Sequence, residues 1–306
     1  MKFGIIGLGR MGANIARHAL EKDHHPVGSD KSDDARSALA QDGIATAESA
    51  EALVAQLDPP RIVFLYTPHG PITESVCHEL KPLLEPGDLV VDGGNSHWED
   101  SKRRHAEFAA AGVRFLDVGT SGGIEGARHG ACFMVGGDRD AYDLIEPLLR
   151  DLAVDEEGVV FAGAPGAGHF TKLIHNAIEF GMLQSIAEGV EMLQCSDYEL
   201  DLPALFDNWM HGSVIRSWLV ELMGRALREN PDFSQLSTYV EDTEEVKWVL
   251  HWALDRDIPT PVVSDAQQAL MEYRDRDWPA AKAVALLRHQ FGGHPVHRKE
   301  EDLSRS

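Results

Sequence analysis

A chain of 306 residues with a hydrophobic fraction of 43% is long enough to bury one large core or two ordinary ones. Its 50 acidic residues against 28 Lys and Arg give a formal net charge of −22, which argues against nucleic-acid binding because that binding is driven by basic patches. The sequence has no apolar run of about 18 residues, so we expect no transmembrane helix and no membrane partner.

The acidic residues are spread along the chain and are not collected in one tail. A diffuse acidic surface with few lysines is typical of a halophilic protein in a salty cytoplasm, and we favour this over an ordinary acidic enzyme. Because Met1-Lys2 leads directly into an apolar stretch, we expect no signal peptide. Cys77, Cys132 and Cys195 have no metal or redox spacing, which favours inert thiols, a cytoplasmic location and no metal site.

The first predicted unit is a strand, a glycine turn and a helix. The apolar run 2–6 ends in a GxGxxG turn, and 13–20 has helical periodicity. Gly7 permits the tight turn, Gly9 lets the backbone approach a pyrophosphate, and Gly12 lets helix and strand pack closely. Because helix N-termini bind phosphates, we predict a dinucleotide site along the whole turn. Its residues are Gly7, Leu8, Gly9, Arg10, Met11 and Gly12.

The second predicted strand, 25–29, ends at Asp30. An acid at this place hydrogen-bonds the adenine ribose hydroxyls and repels a 2′-phosphate, so the sequence favours NAD over NADP. Lys31 follows directly and weakens this discrimination. A solvated loop acid at Asp30 remains the alternative interpretation.

Short apolar runs then alternate with helical patterns, which is typical of an α/β Rossmann-type, doubly wound parallel sheet. Ligands bind such sheets beyond the carboxyl ends of the strands, where the loops 93–96 and 119–123 are expected. Further strands are predicted at 61–66, 88–92, 113–117, 131–135 and 159–161, and helices at 35–41, 47–57 and 139–152.

A glycine-rich break at 163–168 changes the pattern, because almost no strand signal follows it. We therefore predict a nucleotide-binding Rossmann domain at 1–163 and an all-α substrate and dimerisation domain with a C-terminal tail at 164–306. The predicted helices of the second domain are 167–195, 202–212, 215–229, 244–256, 261–275 and 279–290.

Lys172, His175, Asn176 and Glu179 lie at i, i+3, i+4 and i+7 of the first of these helices, so they share one face. These residue types make a poor core and a suitable proton-transfer site. Apolar residues in the other directions predict a helix buried nearly all round, with its polar face in a cleft. The alternatives are a structural Lys–Glu ion pair and a hydrogen-bonded helix histidine.

Five stretches together resemble 6-phosphogluconate dehydrogenase, in the short form of that family, over nearly the whole chain. They are Gly7–Gly12, Asp92–Ser96, Ser121–Gly126, Gly166–Glu179 and Arg288–His294. The glycine fingerprint occurs in many dehydrogenases, whereas its combination with the other stretches is far more specific.

The resemblance implies a role for each matching residue. Lys172 corresponds to the catalytic lysine, Glu179 to the catalytic acid, and Asn176 to a residue that supports both catalysis and binding. Asn95 corresponds to a residue that contacts both the nicotinamide and the sugar acid. The implied substrate-binding residues are Asn95, Ser121, Gly122, Gly123, His175, Asn176, Lys247, Arg288 and His294.

The implied activity is oxidative decarboxylation of 6-phosphogluconate to ribulose 5-phosphate and CO2 with NAD, in the pentose phosphate pathway and gluconate use. Arg288 and His294 correspond to tail residues that reach a neighbouring subunit's site, so a homodimer or higher homo-oligomer is expected. The alternatives are a 3-hydroxyisobutyrate or tartronate-semialdehyde type of dehydrogenase, which does not decarboxylate, and a nucleotide-sensing module without turnover.

The chain departs from the family where the substrate phosphate binds. Phe180 stands in place of a tyrosine, and Val249 in place of a threonine. Leu270 falls near the expected arginine, with Arg274 one turn further on. The phosphate pocket is therefore only partly accounted for, by Lys247, by Arg288 from a partner chain and by Arg274.

Overall fold

The computed structural model describes residues 1–274, 283–284, 286–287 and 290. Their contacts form two compact units. The first joins Met1–Met182 to Glu244–Val263, and the second joins Leu183–Thr243 to the described residues from Ser264 onward. The predicted helix at 279–290 and the tail residues Arg288 and His294 lie largely or wholly outside the described residues.

The first unit contains one sheet of eight strands. They are β1 (Lys2–Ile6), β2 (His25–Ser29), β3 (Ala45–Ala47), β4 (Ile62–Leu65), β5 (Leu89–Asp92), β6 (Arg114–Ser121), β7 (Cys132–Gly137) and β8 (Val159–Gly163). Their order is β3-β2-β1-β4-β5-β6-β7-β8, which confirms the predicted Rossmann-type fold.

One strand pair differs from the prediction of a parallel sheet, because β6 and β7 run antiparallel. A parallel connection needs a crossover of about a dozen residues or more. The connection here holds only a seven-residue helix, α6 (Gly123–His129), flanked by Gly122 and Gly130 at positive φ. The chain therefore turns back beside the strand that it has just left.

Helices cover both faces of the sheet. They are α1 (Arg10–Glu21), α2 (Asp33–Gln41), α3 (Ala50–Val54), α4 (Pro71–Leu80), α5 (Trp98–Ala109), α6 and α7 (Arg139–Asp151). Side chains alternate between the two faces along β4, so the strand contributes to two cores. Phe64 belongs to one core, and Val63 and Leu65 belong to the other. The predicted helix 47–57 is shorter, because Ser49 caps α3 and the residues before it pair as β3.

The N-terminal part of helix α8 (Ala167–Gln194), up to Met182, belongs to the first unit. There it packs with α11 (Glu245–Leu254). A third core, which includes Trp98, Leu173 and Val246, holds these elements together. The prediction that α8 is buried nearly all round is wrong, because Ile178 is 58% exposed.

The second unit contains the remainder of α8, α9 (Leu202–Trp209), α10 (Trp218–Glu229) and most of α12 (Pro261–Glu272). Every regular element among its described residues is a helix, as predicted. The sheet ends at Gly163, whereas the two units divide within α8, so the domain boundary near residue 163 stays a prediction. Over the described chain, no helix has the length and apolar character needed to cross a membrane.

Candidate active site

The glycine turn between β1 and α1 is shaped by close backbone contacts. Gly7 has φ +96°, and a Cβ there would overlap the Tyr66 carbonyl oxygen. A Cβ on Gly12 would overlap the Gly7 carbonyl oxygen. A Cβ on Gly9 would meet no described atom within 4 Å. Gly7 and Gly12 are therefore required by the protein's own packing, while Gly9 borders open space that a ligand can approach.

Asp30 is bound to this turn. Its Oδ2 accepts a 2.7 Å hydrogen bond from the Leu8 backbone N–H, and its Oδ1 accepts one of 2.9 Å from the Ser32 N–H. A carboxylate has about four acceptor sites, so capacity remains for ribose hydroxyls. Arg10 is exposed in the first turn of α1, and Met11 packs against the core. The residues at this edge fit a dinucleotide whose pyrophosphate lies on the helix N-terminus.

The polar face predicted on α8 is a connected group. Lys172 Nζ donates a 2.7 Å hydrogen bond to Asn176 Oδ1 and lies 3.3 Å from His175 Nδ1. Glu179 Oε2 lies 3.8 Å from His175 Nδ1. Lys172 is buried, with 7% of the residue exposed, whereas the side chains of His175 and Glu179 are 41% and 38% exposed.

Burial lowers the pKa of Lys172 below its ordinary value of 10.5. The carboxylates of Glu179 and Glu245, and Cys132 with a smaller effect, act in the opposite direction and are outweighed. Desolvation disfavours the ammonium form, so the neutral amine is populated at a lower pH than in a free lysine. A neutral amine is what a general base requires.

The predicted Ser-Gly-Gly loop lies against this face. Ser121 ends β6, and its Oγ is 3.0 Å from His175 Nε2. Gly122 precedes α6 and Gly123 begins it, with φ of +113° and +59°, a region that glycine enters without steric strain. The structure thus brings Ser121 together with the Lys172–Asn176 pair through His175.

Two positioning residues on β6 were not recognised in the sequence. The buried Asp117 accepts hydrogen bonds from the Gly166 and His169 backbone N–H groups, at 2.7 and 2.8 Å, and so caps the start of α8. A Cβ on Gly119 would overlap Lys172 Cβ, so glycine there makes room for the lysine. An acid inside an apolar strand was the available signal, because a buried carboxylate requires such donors.

Asn95 lies on the loop after β5, and its Nδ2 donates a 3.2 Å hydrogen bond to Glu245 Oε1 on α11. A buried network supports this loop: Ser96 Oγ donates to Asp92 Oδ2 at 2.7 Å, and Arg104 Nη1 donates to both residues. Arg104 and Glu245 were also not recognised in the sequence, because the residues that they contact lie on other elements.

The residues predicted to lie near the substrate phosphate have different surroundings in the structure. Lys247 is partly buried on α11. Phe180 packs on the third core beside the buried Val249, so both serve packing. In the second unit, Leu270 is buried, and Arg274 forms a 3.3 Å ion pair with Asp242.

Comparison with known families covers most of the chain. Residues 2–163 match the NAD binding domain of 6-phosphogluconate dehydrogenase. Residues 194–305 match the C-terminal domain of 6-phosphogluconate dehydrogenase.

Relatives named as 6-phosphogluconate dehydrogenases also align with most of the chain. YqeC of Bacillus subtilis (strain 168), provisionally named a 6-phosphogluconate dehydrogenase, is 44% identical over 98% of this chain and 100% of its own length. An NAD(+)-dependent, decarboxylating 6-phosphogluconate dehydrogenase of Haloferax volcanii is 37% identical over 98% and 100%. The structure of Plasmodium falciparum 6-phosphogluconate dehydrogenase, described with NADP+ and with 6-phosphogluconate, has a TM-score of 0.82 at 25% identity and covers 99% of this chain and 68% of that one.

The two matched domains span both the glycine turn and the helical part, and the relatives align along almost the entire sequence. The resemblance predicted from the five sequence stretches is therefore confirmed, and the chain belongs to the 6-phosphogluconate dehydrogenase family.

Proposed function

We propose that this protein catalyses the oxidative decarboxylation of 6-phospho-D-gluconate to D-ribulose 5-phosphate and CO2 with NAD, in the oxidative pentose phosphate pathway. The observation that carries the proposal is Lys172, a buried amine with a lowered pKa, hydrogen-bonded to Asn176 in the same compact unit as the glycine turn. The names of the Bacillus and Haloferax relatives support the same reaction.

Lys172 is the general base of the first step. Bound at the glycine turn, NAD supplies the hydride acceptor for C3 of the substrate. Neutral Lys172 takes the proton of the C3 hydroxyl, and the C3–O bond becomes a carbonyl. Asn176 Oδ1 holds Nζ by a 2.7 Å hydrogen bond, which fixes the direction of the amine.

Loss of CO2 follows from the substrate's own chemistry, because a carbonyl β to a carboxylate accepts the electron pair of the breaking C–C bond. The ammonium of Lys172 stabilises the developing enolate oxygen at C3. Glu179 then protonates the carbon that has lost CO2. Lys172 Nζ and Glu179 Oε2 lie 3.3 Å and 3.8 Å from the same atom, His175 Nδ1, so the base and the acid can act on neighbouring carbons of one substrate.

NAD is the proposed cofactor because Asp30 presents a carboxylate at the end of β2, where a 2′-phosphate of NADP would be repelled. The Haloferax relative is named NAD(+)-dependent. The cofactor site comprises the turn residues Gly7 to Gly12, Asp30 and Asn95.

The sugar acid is proposed to bind between the α8 face and the loops that follow β5 and β6. Its contacts are Asn95, Ser121, Gly122, Gly123, His175, Asn176 and Lys247, with Arg288 and His294 from the tail of a neighbouring subunit. The proposed active form is therefore a homodimer or higher homo-oligomer.

The test is to incubate the protein with 6-phosphogluconate and either NAD or NADP, in low and molar salt, while measuring reduced cofactor and CO2. The expected result is equimolar formation of both, faster with NAD and in high salt. Reduction without CO2 would favour the 3-hydroxyacid dehydrogenase alternative, and no reduction would refute the substrate. Lys102→Met, at a half-exposed side chain on α5, is the matched control for the substitution of Lys172.

A further inference from the structure

Glu245, the first residue of α11, is not among the residues proposed to bind the substrate or NAD. Its side chain is buried, with a residue exposure of 5%, although a carboxylate is costly to remove from water. Its Oε1 accepts a hydrogen bond from the side-chain amide of Asn95, at 3.2 Å from Nδ2. This bond joins α11 to the loop after β5.

The bond has a chemical consequence for Asn95. An ionised carboxylate only accepts hydrogen bonds, so it selects the Nδ2 end of the amide and rejects the Oδ1 end. Glu245 therefore decides which way the Asn95 amide is turned, a choice that an amide partner would leave open. The Oδ1 atom is then left to accept hydrogen bonds from a substrate hydroxyl or from a carboxamide.

Glu245 also acts on Lys172. The charged and titratable groups that face Lys172 are His175 and Glu179 on α8 itself, Cys132 on β7 and Glu245 on α11. The negative charges of Glu179 and Glu245 favour the ammonium form of Lys172, against the larger effect of burial. That ammonium is the form that must persist while CO2 leaves.

We infer that Glu245 is a positioning residue of the reaction, which orients the Asn95 amide by its hydrogen bond and stabilises protonated Lys172 by its charge. The inference rests on the proposed function. Glu245, a buried carboxylate on α11, thereby links two walls of the site, the loop after β5 and the α8 face.

Three variants separate the two effects. Glu245→Gln removes the charge and the selection of the amide end, and Glu245→Asp keeps the charge on a shorter side chain. Glu244→Gln removes a charge from the neighbouring, exposed residue and is the matched control. Asn95→Ala and the double variant with Glu245→Gln complete a cycle.

In Glu245→Gln, the acidic limb of the kcat/KM profile should move to lower pH by about half a unit to one unit, because a charge that favours the ammonium is lost. KM for 6-phosphogluconate should rise about tenfold, since that corresponds to one hydrogen bond near 1.4 kcal/mol. Glu245→Asp should restore the pH limb and leave KM raised. Glu244→Gln should change neither quantity.

The KM effects of Asn95→Ala and Glu245→Gln should not add in the double variant. An unmoved acidic limb in Glu245→Gln, or fully additive KM effects, would overturn the inference. Thermal unfolding of each variant separates these outcomes from a loss of folded protein.

A readout without turnover separates this inference from the proposed function. Competitive acetylation of Lys172 across a range of pH, measured by mass spectrometry, reports the pKa of the amine in the free protein. The midpoint should fall in Glu245→Gln even if the wild type fails to oxidise 6-phosphogluconate. An unchanged midpoint beside normal wild-type turnover would refute the role of Glu245 and leave the reaction intact.

Discussion

The glycine turn and the polar face of α8 are two halves of one candidate site, and they are built in different ways. The turn is made of six consecutive residues that act through their backbone. It is supported from outside by Asp30, which accepts from the Leu8 N–H, and by Ser29, whose carbonyl accepts from the Gly7 N–H. The α8 face is made of side chains, and residues on another element support it. Asp117 caps the helix, Gly119 makes room for Lys172, and Ser121 contacts His175.

This difference predicts different responses to mutation. Damage to the turn should weaken cofactor binding and leave the chemical step intact. Damage around α8 should slow the chemical step and leave cofactor binding intact, because the supporting contacts of Lys172 do not include the turn.

The largest effect is expected from Lys172→Met. Removing the general base should lower kcat about 10³-fold, because a positioned base contributes roughly 10²–10⁴. NAD affinity, measured by fluorescence titration, should stay within about twofold of the wild type, a difference of roughly 0.4 kcal/mol. Turnover near the wild-type rate would assign the base to another residue, and a parallel loss in Lys102→Met would point to misfolding.

Asp117→Ala should destabilise the protein by about 3 kcal/mol, because two backbone N–H groups at the start of α8 lose a charged, buried acceptor. Urea unfolding followed by circular dichroism measures this loss. Asp143→Ala, at a half-exposed carboxylate on α7, is the control and should change stability by about 0.5 kcal/mol or less. A native-like midpoint for Asp117→Ala would show that water replaces the cap.

Two alanine substitutions compare the halves of the site directly. Gly119→Ala puts a Cβ into the space of Lys172 and should lower kcat up to about 10²-fold, since a shift of about 1 Å can have that effect. Gly9→Ala meets no described atom of the chain, so the fold should be unchanged while NAD affinity falls about tenfold. Swapped outcomes, with Gly119→Ala weakening NAD and Gly9→Ala slowing the chemical step, would contradict the division of roles.

The smallest effect concerns pH. Since burial lowers the pKa of Lys172, the neutral base should form below the ordinary value of 10.5, and kcat/KM should rise with pH and level off before that value. The profile is measured with saturating NAD. A limb that continues to rise through 10.5 would show that Lys172 is not desolvated in the working enzyme.

The parts of the site that the sequence predicted are those with local causes. A GxGxxG turn between a strand and a helix can be predicted because its residues are consecutive and backbone geometry requires the glycines. The α8 face is readable because helical spacing alone puts Lys172, His175 and Asn176 side by side. Asp117, Glu245 and Arg104 were missed because each meets its partner only after separate elements pack together.

The fold shows the same division. The β–α alternation determined a doubly wound sheet, whereas the antiparallel β7 depended on how short the connection through α6 is. Helix α5 was not predicted, because half of its 12 residues are charged, and in the structure it buries Arg104. The predicted all-round burial of α8 failed at Ile178, because a sequence pattern does not say which apolar residues find a partner.

By itself, the sequence determined the alternation of strands and helices, the glycine turn and the row of polar residues on α8, because backbone sterics and helical periodicity act between near neighbours. Only the tertiary structure decided that Lys172 is buried, that Asp117 and Gly119 hold and accommodate it, and that Glu245 lies against Asn95. Desolvation and hydrogen bonding between distant segments exist only once the sheet has formed, and they turn a lysine on a helix into a candidate base.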